Sequence, residues 1–367
     1  IQFTNGQALG VSTVAASGNF AGTSNGLVST TAGKTIDVRT TVGALTLNNN
    51  VTTGTTGNVY LTGAAGISET GAATITTGTL GMNVTSAGDI VTNNTNLVNT
   101  LGAKTANGNI QFTNGQALSV SAVGASGNFA GTSNGLTSTT AGKIIDARTT
   151  VGALTLNNNV TTGATGTVYL TSAAGISEAG AAAITTGSLG MNSAGTIDVN
   201  SSTNNVTNLA AKSTAGNITY QDGDGIVITT ISSAGNFNGI SGISANAGAS
   251  NLTLTAGGAV TQATATDNII AAGLELKGAG SYTLTNVANN IATLAGNVTG
   301  AVSYTDANSF TVGTVNTVGL SSQSDITLKA LGAGDITVSN DIRKAGAGAQ
   351  TLTIQANEHI IFNNSAD

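Results

Sequence analysis

The sequence predicts an all-β fold in which the chain winds into a parallel β-solenoid of about 22 residues per coil. Three observations carry this expectation. First, the run from Ile1 to Asn83 returns at Ile110, and at an offset of 109 residues 71 of 83 positions are identical. Repetition on this scale marks a unit that cannot bury its own apolar face and needs a neighbour to do so. Second, apolar residues stand two apart in short triplets, Ile36-Asp37-Val38, Leu45-Thr46-Leu47, Val59-Tyr60-Leu61, Leu80-Gly81-Met82 and Ile110-Gln111-Phe112. That spacing puts the outer pair on one face of a strand and the middle residue on the other. Third, the triplets are separated by AAG, TTGTTGN, SAGD and TANGN, whose Gly and Asn reach positive φ at least cost and so permit tight corners.

Composition removes the competing classes. The chain has 367 residues with 51 Gly, no Pro, Cys or Trp, and 7% charged, 3% aromatic and 40% hydrophobic residues. Disordered chains lack that aliphatic content, and collagen requires Gly at every third position with abundant Pro. No i, i+3, i+4, i+7 stripe persists, and the Thr, Asn and Gly that dominate are weak helix formers. With a net charge of −6 and scattered Lys and Arg, the chain lacks the clustered basic footprint of a nucleic-acid binder. No run approaches the eighteen or so apolar residues of a membrane helix. Ile1 does not open a signal peptide, so the segment is expected to lack its native beginning. Absence of Cys removes disulfides and Cys-based zinc sites from consideration.

Taken in order, Ile1, Leu45, Ile67, Ile90 and Ile110 are expected to form one inward ladder, giving about five turns of ~22 residues per 109-residue block. Strands stacked about 4.8 Å apart then yield roughly 16 or 17 turns and a rod of roughly 80 Å. The second block repeats the first as far as Asn192 and then loses one residue, VTSAGDIVTNN becoming SAGTIDVNSS. A loss inside a strand would invert every later side chain, so it belongs at a corner. A third block opens with NITYQDGDGIVI, and SAGNFNGI around Phe237 matches SGNFAGT around Phe20 and Phe129. Beyond it the likeness fades while the triplets continue through Leu352-Thr353-Ile354. The organisation expected is a single domain over 1–367, with blocks 1–109, 110–217 and a diverged 218–367.

The phrases NLTLTAGGAVTQ and GAGDITVSNDIRKAGAGAQTLTIQANEHIIF, and the Thr/Asn/Gly/Ala idiom over the whole chain, resemble the shaft of filamentous-haemagglutinin-like bacterial surface proteins. These are exported by two-partner secretion or as autotransporters. The resemblance implies a right-handed parallel β-helix on, or released from, a Gram-negative cell surface, working in adhesion, aggregation or biofilm. It carries over no functional residues. The pattern at Ile1 and in IIFNNSAD is that of a strand, without a charged or helical cap. A coil ended in this way leaves backbone groups that invite pairing, which suggests a piece of a longer protein or coils that stack end to end.

Candidate sites are few. His359, the single histidine, cannot by itself make a His-based metal site or an oriented triad. Asp222 and Asp224 in QDGDG lack both the EF-hand loop and the calcium-binding nonapeptide, so a polar turn is expected. Asp37 with Arg39, and Asp146 with Arg148, share a strand face and read as exposed pairs of about 0 to 1 kcal/mol each. Glu69 and Glu178 recur singly, without the close carboxylate pair of glycoside hydrolysis. Asp335 and Asp341 are the acidic residues on which a polysaccharide-cleaving reading would rest. Asn-x-Ser/Thr sequons at Asn50, Asn83, Asn159, Asn205, Asn251 and Asn297 are expected by chance in so Asn- and Thr-rich a chain.

The functional expectation is a non-enzymatic structural or adhesive stalk at the bacterial surface or outside the cell. It has no catalytic residues, no cofactor and no metal, no nucleic-acid partner and no spanning segment. Its partners would be surface glycans or proteins of a host or neighbouring cell, or copies of itself. A self-assembling fibre subunit, a polysaccharide-active β-helix enzyme and an ice-binding solenoid with outward Thr rows are the alternatives.

Overall fold

A computed structural model describes residues 1–363. The last four residues of IIFNNSAD lie outside that range, and the strand there runs Ile360–Phe362. The architecture is a β-solenoid of about 15 turns and roughly 23 residues per turn. It is made of parallel strands except for short antiparallel pairs at three hairpins. Among the described residues one 3-10 turn, Asn246–Gly248, interrupts the strands. Backbone contacts divide the chain into two compact units, Ile1–Gly187 with Gly235–Phe237, and Ser188–Ala234 with Asn238–Asp367.

In the first unit each coil visits three strand positions. Ile36, Val59, Leu80 and Leu101 stack inward at the first, all fully buried. Leu9, Leu45, Ile67, Ile90 and Ile110 stack at the second. Each such aliphatic contributes about 1.5–3 kcal/mol when removed from water. The side-chain alternation expected from the triplets holds throughout, because the middle residues Asp37, Tyr60 and Gly81 form their own row on the opposite side.

The ladder differs from expectation in one member. Leu9, not Ile1, precedes Leu45, while Ile1 begins the strand position of Ile36. Gln2, Asp37, Tyr60, Gly81 and Gly102 lie one above another, and the chain then moves on, so that Ile110–Asn114 stacks on Ile90 at the second position. One repeat therefore occupies four coils and one further strand position, and copy-related residues sit on adjacent faces. Five turns per block is too many for the same reason. The coil from Gln2 to Asp37 takes 35 residues, because it contains a hairpin with strands Thr13–Val14 and Ser24–Asn25. The hairpin coils raise the mean length above 22 and lower the turn count.

Strands also run longer than triplets in the first copy. Val51–Gly63, Ile75–Ala87 and Ile90–Asn107 run on through corners as single strands, with the register shifting where they turn. In the second copy the equivalent of Val51–Gly63 breaks into Val160–Thr162 and Thr167–Ser172, around a turn closed by Gly166 N–H to the Gly163 carbonyl at 2.8 Å.

The second unit repeats the arrangement in its own strands. Ile218, Leu252, Leu274 and Leu294 form an inward stack. The first of these coils again takes 34 residues and carries the antiparallel pair Thr230–Ile231 and Ile240–Ser241. Strand Val302–Asp306 then pairs with Ile326–Ala330, and that with Leu352–Ala356.

Candidate functional site

The most elaborate side-chain chemistry lies where hairpins seat on the outward rows. Each hairpin turns at Gly-Asn-Phe, preceded by Ser17, Ser126 or Ala234; Ser126 and Phe129 exchange backbone hydrogen bonds of 3.1 and 2.8 Å. Positive φ falls on the first central residue, Gly18, Gly127 or Gly235, at 54°, 55° and 56°. That is the II′ pattern, which matches strand twist and is open to glycine at little strain.

The hairpin of the second copy lies on the row Gln2–Asp37–Tyr60–Gly81–Gly102. Its Asn128 N–H donates to Asp37 Oδ2 at 2.5 Å. Its Phe129 ring sits 5.2 Å from that of Tyr60, tilted by 34°, and Val123, Phe129 and Tyr60 form one buried cluster. Gly81 makes this approach possible. A Cβ there would stand 2.9 Å from Tyr60, 3.0 Å from Phe129 and 3.0 Å from Val123. The same seat recurs within this unit on Gln111–Asp146–Tyr169. There Asn236 N–H donates to Asp146 Oδ2 at 2.8 Å, and Phe237 stacks on Tyr169 at 4.7 Å.

In the second unit the row is Thr219–Thr253–Glu275, and the loop over it is shorter, closed by a bridge between Thr314 and Val318. Glu275 takes over the carboxylate role. It accepts from Thr317 Oγ1 at 2.6 Å, Asn316 Nδ2 at 2.9 Å and Thr253 Oγ1 at 2.9 Å, with Lys277 Nζ at 3.2 Å. Burial pushes its pKa up, but these donors outweigh burial and hold it down at about 2.

The two aspartates differ from the exposed ion pairs expected. Asp37 and Asp146 are buried, because the hairpins cover the face on which they project. Burial raises both, Asp146 to about 6, against the lowering effect of the Asn128 and Asn236 amides and of Arg39 and Arg148. The recurring GNF after each block's opening strands was the available signal for these seats. Nothing local to Asp37 announces that a segment some 90 residues later will cover it.

Asp222 stands at the polar turn expected of QDGDG, with its side chain turned into the protein. It ends the strand Ile218–Asp222, is buried, and accepts from Val206 N–H at 3.1 Å, Tyr220 OH at 2.6 Å and Asp224 N–H at 3.1 Å. Burial raises its pKa to about 7. The equivalent residue of the second copy is Asn114, which accepts from Val98 N–H and donates to the Val98 carbonyl, both at 2.9 Å, with Phe112 in place of Tyr220. Asp306 and Tyr304 repeat the Asp–Tyr form, 2.6 Å apart. An amide supplies its own donors, whereas a carboxyl needs the phenol to satisfy it.

Glu69 is likewise raised by burial, to about 7, and accepts from Asn94 N–H and Asn96 Nδ2. Asn50 and Asn159, at two of the sequons, act as corner acceptors for the Thr74 and Ala183 amides. His359 has more company than its sequence position suggests. Its ring Nδ1 and its backbone N–H both meet Asp335 Oδ1, at 3.0 and 2.9 Å, and one donor atom each of Asp335, Glu358 and His359 fall within 4.8 Å of one another. Asp341 pairs with Arg343 at the surface, beside an open polar groove of about 490 Å³ that also includes Asn297, Ser321 and Asn340.

No helix among the described residues is long and apolar enough to cross a membrane. No family model, no curated protein and no solved structure matches the chain.

Proposed function

We propose that the chain is a structural or adhesive stalk of a bacterial cell-surface or secreted protein, non-enzymatic, meeting surface glycans, proteins or copies of itself outside the cell. The observation that carries this reading is the strapped stack. A hairpin reaches from Gly102 back to Asp37 along one row and ties successive coils together with buried rings and a hydrogen bond to a buried carboxylate. Such a bond contributes about 1.5–3 kcal/mol, and the buried Phe side chain about 1.5–3 kcal/mol more. These are resources for resisting unwinding of a spacer under load.

The test is display on the surface of a non-adherent bacterium. The stalk reading expects displayed cells to gain attachment to glass or host cells, or to aggregate, in proportion to display level. Displayed cells that behave as the parent strain would sink it. A self-assembling fibre subunit is the second reading. Electron micrographs of the purified chain separate the two, since long filaments of uniform width favour the fibre and separate particles the stalk. Cleavage of acidic glycans, lost in Asp335→Asn or Asp341→Asn, would overturn both.

A further inference from the structure

The loop that closes over Glu275 in the second unit is shorter than the hairpin of the second copy, and the difference leaves a space. Between Val120 and Leu136 the chain leaves the stack over residues 121–135, whereas between Val312 and Leu320 it does so only over residues 313–319. The longer hairpin extends to the neighbouring outward row, where Asn83 Nδ2 donates to the Ala130 carbonyl at 3.4 Å. The shorter loop is spent on Glu275. The row beside it, Lys277–Asn297–Ser321–Arg343, borders the open groove of about 490 Å³ through its last three members.

The lining suits hydroxyl groups. Asn297 and Ser321 stand on neighbouring rungs, and among the described residues neither side chain is spent on a hydrogen bond within the protein. Asn340 Oδ1 accepts from Thr314 Oγ1 at 3.1 Å, which leaves its amide N–H groups as donors. Val318, on the loop at the same groove, is 68% exposed and offers an apolar surface to the C–H face of a sugar ring. The cations of the row are matched inside the protein. Lys277 Nζ lies 3.2 Å from Glu275 Oε1, and Arg343 Nε donates to Asp341 Oδ2 at 2.8 Å. The groove, with Arg343 and Asp341 in its wall, therefore carries no net charge with which to select a sulfate or carboxylate.

We propose that this groove is a binding site for a neutral glycan, whose hydroxyls meet Asn297, Ser321 and Asn340 while its ring lies against Val318. The proposal rests on the adhesive reading and deepens it, since it names the class of surface partner and the place on the stalk that meets it.

The test uses the purified whole chain on an array of immobilised neutral, sulfated and carboxylated glycans. The native chain is expected to bind neutral members in preference to acidic ones. Asn297→Ala and Ser321→Val each remove a hydrogen-bonding group from an outward position, and each is expected to weaken that binding about tenfold, the order of one hydrogen bond. Val318→Asp, on the exposed loop, is expected to weaken it as well and serves where a strand variant fails to fold. No binding to any neutral glycan, tighter binding to the acidic ones, or binding that the folded variants all retain overturns the proposal. Failure here is distinguishable from failure of the adhesive reading. Displayed cells that attach, beside an array blank for neutral glycans, leave adhesion standing and remove the site; glycan binding by a chain whose displayed cells do not attach does the reverse.

Discussion

Phe20 and Phe129 occupy the same place in nearly the same sequence, so replacing each by Ala gives an internal control that few proteins offer. Phe129 is fully covered and 5.2 Å from Tyr60, so its loss removes about 1.5–3 kcal/mol of burial and about 0.5–1.5 kcal/mol of ring pairing. The hairpin lies on the outer side of the coils and can settle onto the space vacated, which limits the cavity penalty, and the expected cost is about 2–4 kcal/mol. Phe20 loses little because it is already 46% exposed, and surface substitutions fall within about ±0.5 kcal/mol. Repeat arrays do not always unfold in a single step, so the assay should be local. Hydrogen exchange at the Asn128 amide, which donates to Asp37, is expected to accelerate by roughly 30-fold or more in Phe129→Ala, from the factor of ten per 1.4 kcal/mol. It should stay at its native rate in Phe20→Ala. Equal effects from the two substitutions, or unchanged exchange in Phe129→Ala, would show that the hairpin is not held by its ring.

Three further expectations follow from the same contacts. Asp146 has a folded pKa near 6 against 3.8 for the free group, raised by burial. The folded form therefore holds its proton more tightly, and stability is greatest below pH 3.8 and declines as pH rises through 6, by at most ~3 kcal/mol. Asp146→Asn, whose carbonyl can still accept from Asn236, should be the more stable chain at pH 7 and should flatten that part of the denaturation-midpoint profile; a loss of stability at pH 7 contradicts the assignment. Asp222, raised to about 7, has the same sign over the window from pH 3.8 to 7, and Asp222→Asn with Tyr220→Phe restores the pairing of Asn114 and Phe112. That double variant is expected to remove the pH dependence without loss of the native circular dichroism spectrum, whereas Tyr220→Phe alone, which strips a donor from the buried carboxyl, should destabilise. Gly81→Val places side-chain atoms where Tyr60, Phe129 and Val123 already meet, so limited proteolysis should cut within residues 122–134 of this variant and spare the parent; equal resistance refutes the close approach.

Much of the fold is legible in the chain alone. Apolar residues two apart dictate which side chains turn inward, and the 109-residue repetition dictates that neighbouring coils supply one another's cover. The copied ladder Leu45, Ile67, Ile90 and Ile110 is read directly. Ile1 is misplaced in that ladder because the sequence period and the coil period are different lengths. A 109-residue copy does not close on a whole number of coils once a hairpin has been looped out, and only the stacked backbone shows where the remainder falls.

The seats are the part that tertiary structure decided. Periodicity assigns Asp37 and Tyr60 correctly to the outward side, and outward ordinarily means solvated. Whether that side is wet or covered depends on a segment far along the chain folding back over it, a long-range contact that leaves no mark in the spacing of its own strand. The sequence by itself determined the alternation, the corners and the stacking, because these follow from local backbone geometry and the burial of aliphatic side chains. The three-dimensional arrangement decided which polar groups are buried and therefore which of them carry perturbed charge, because burial is set by what arrives on top.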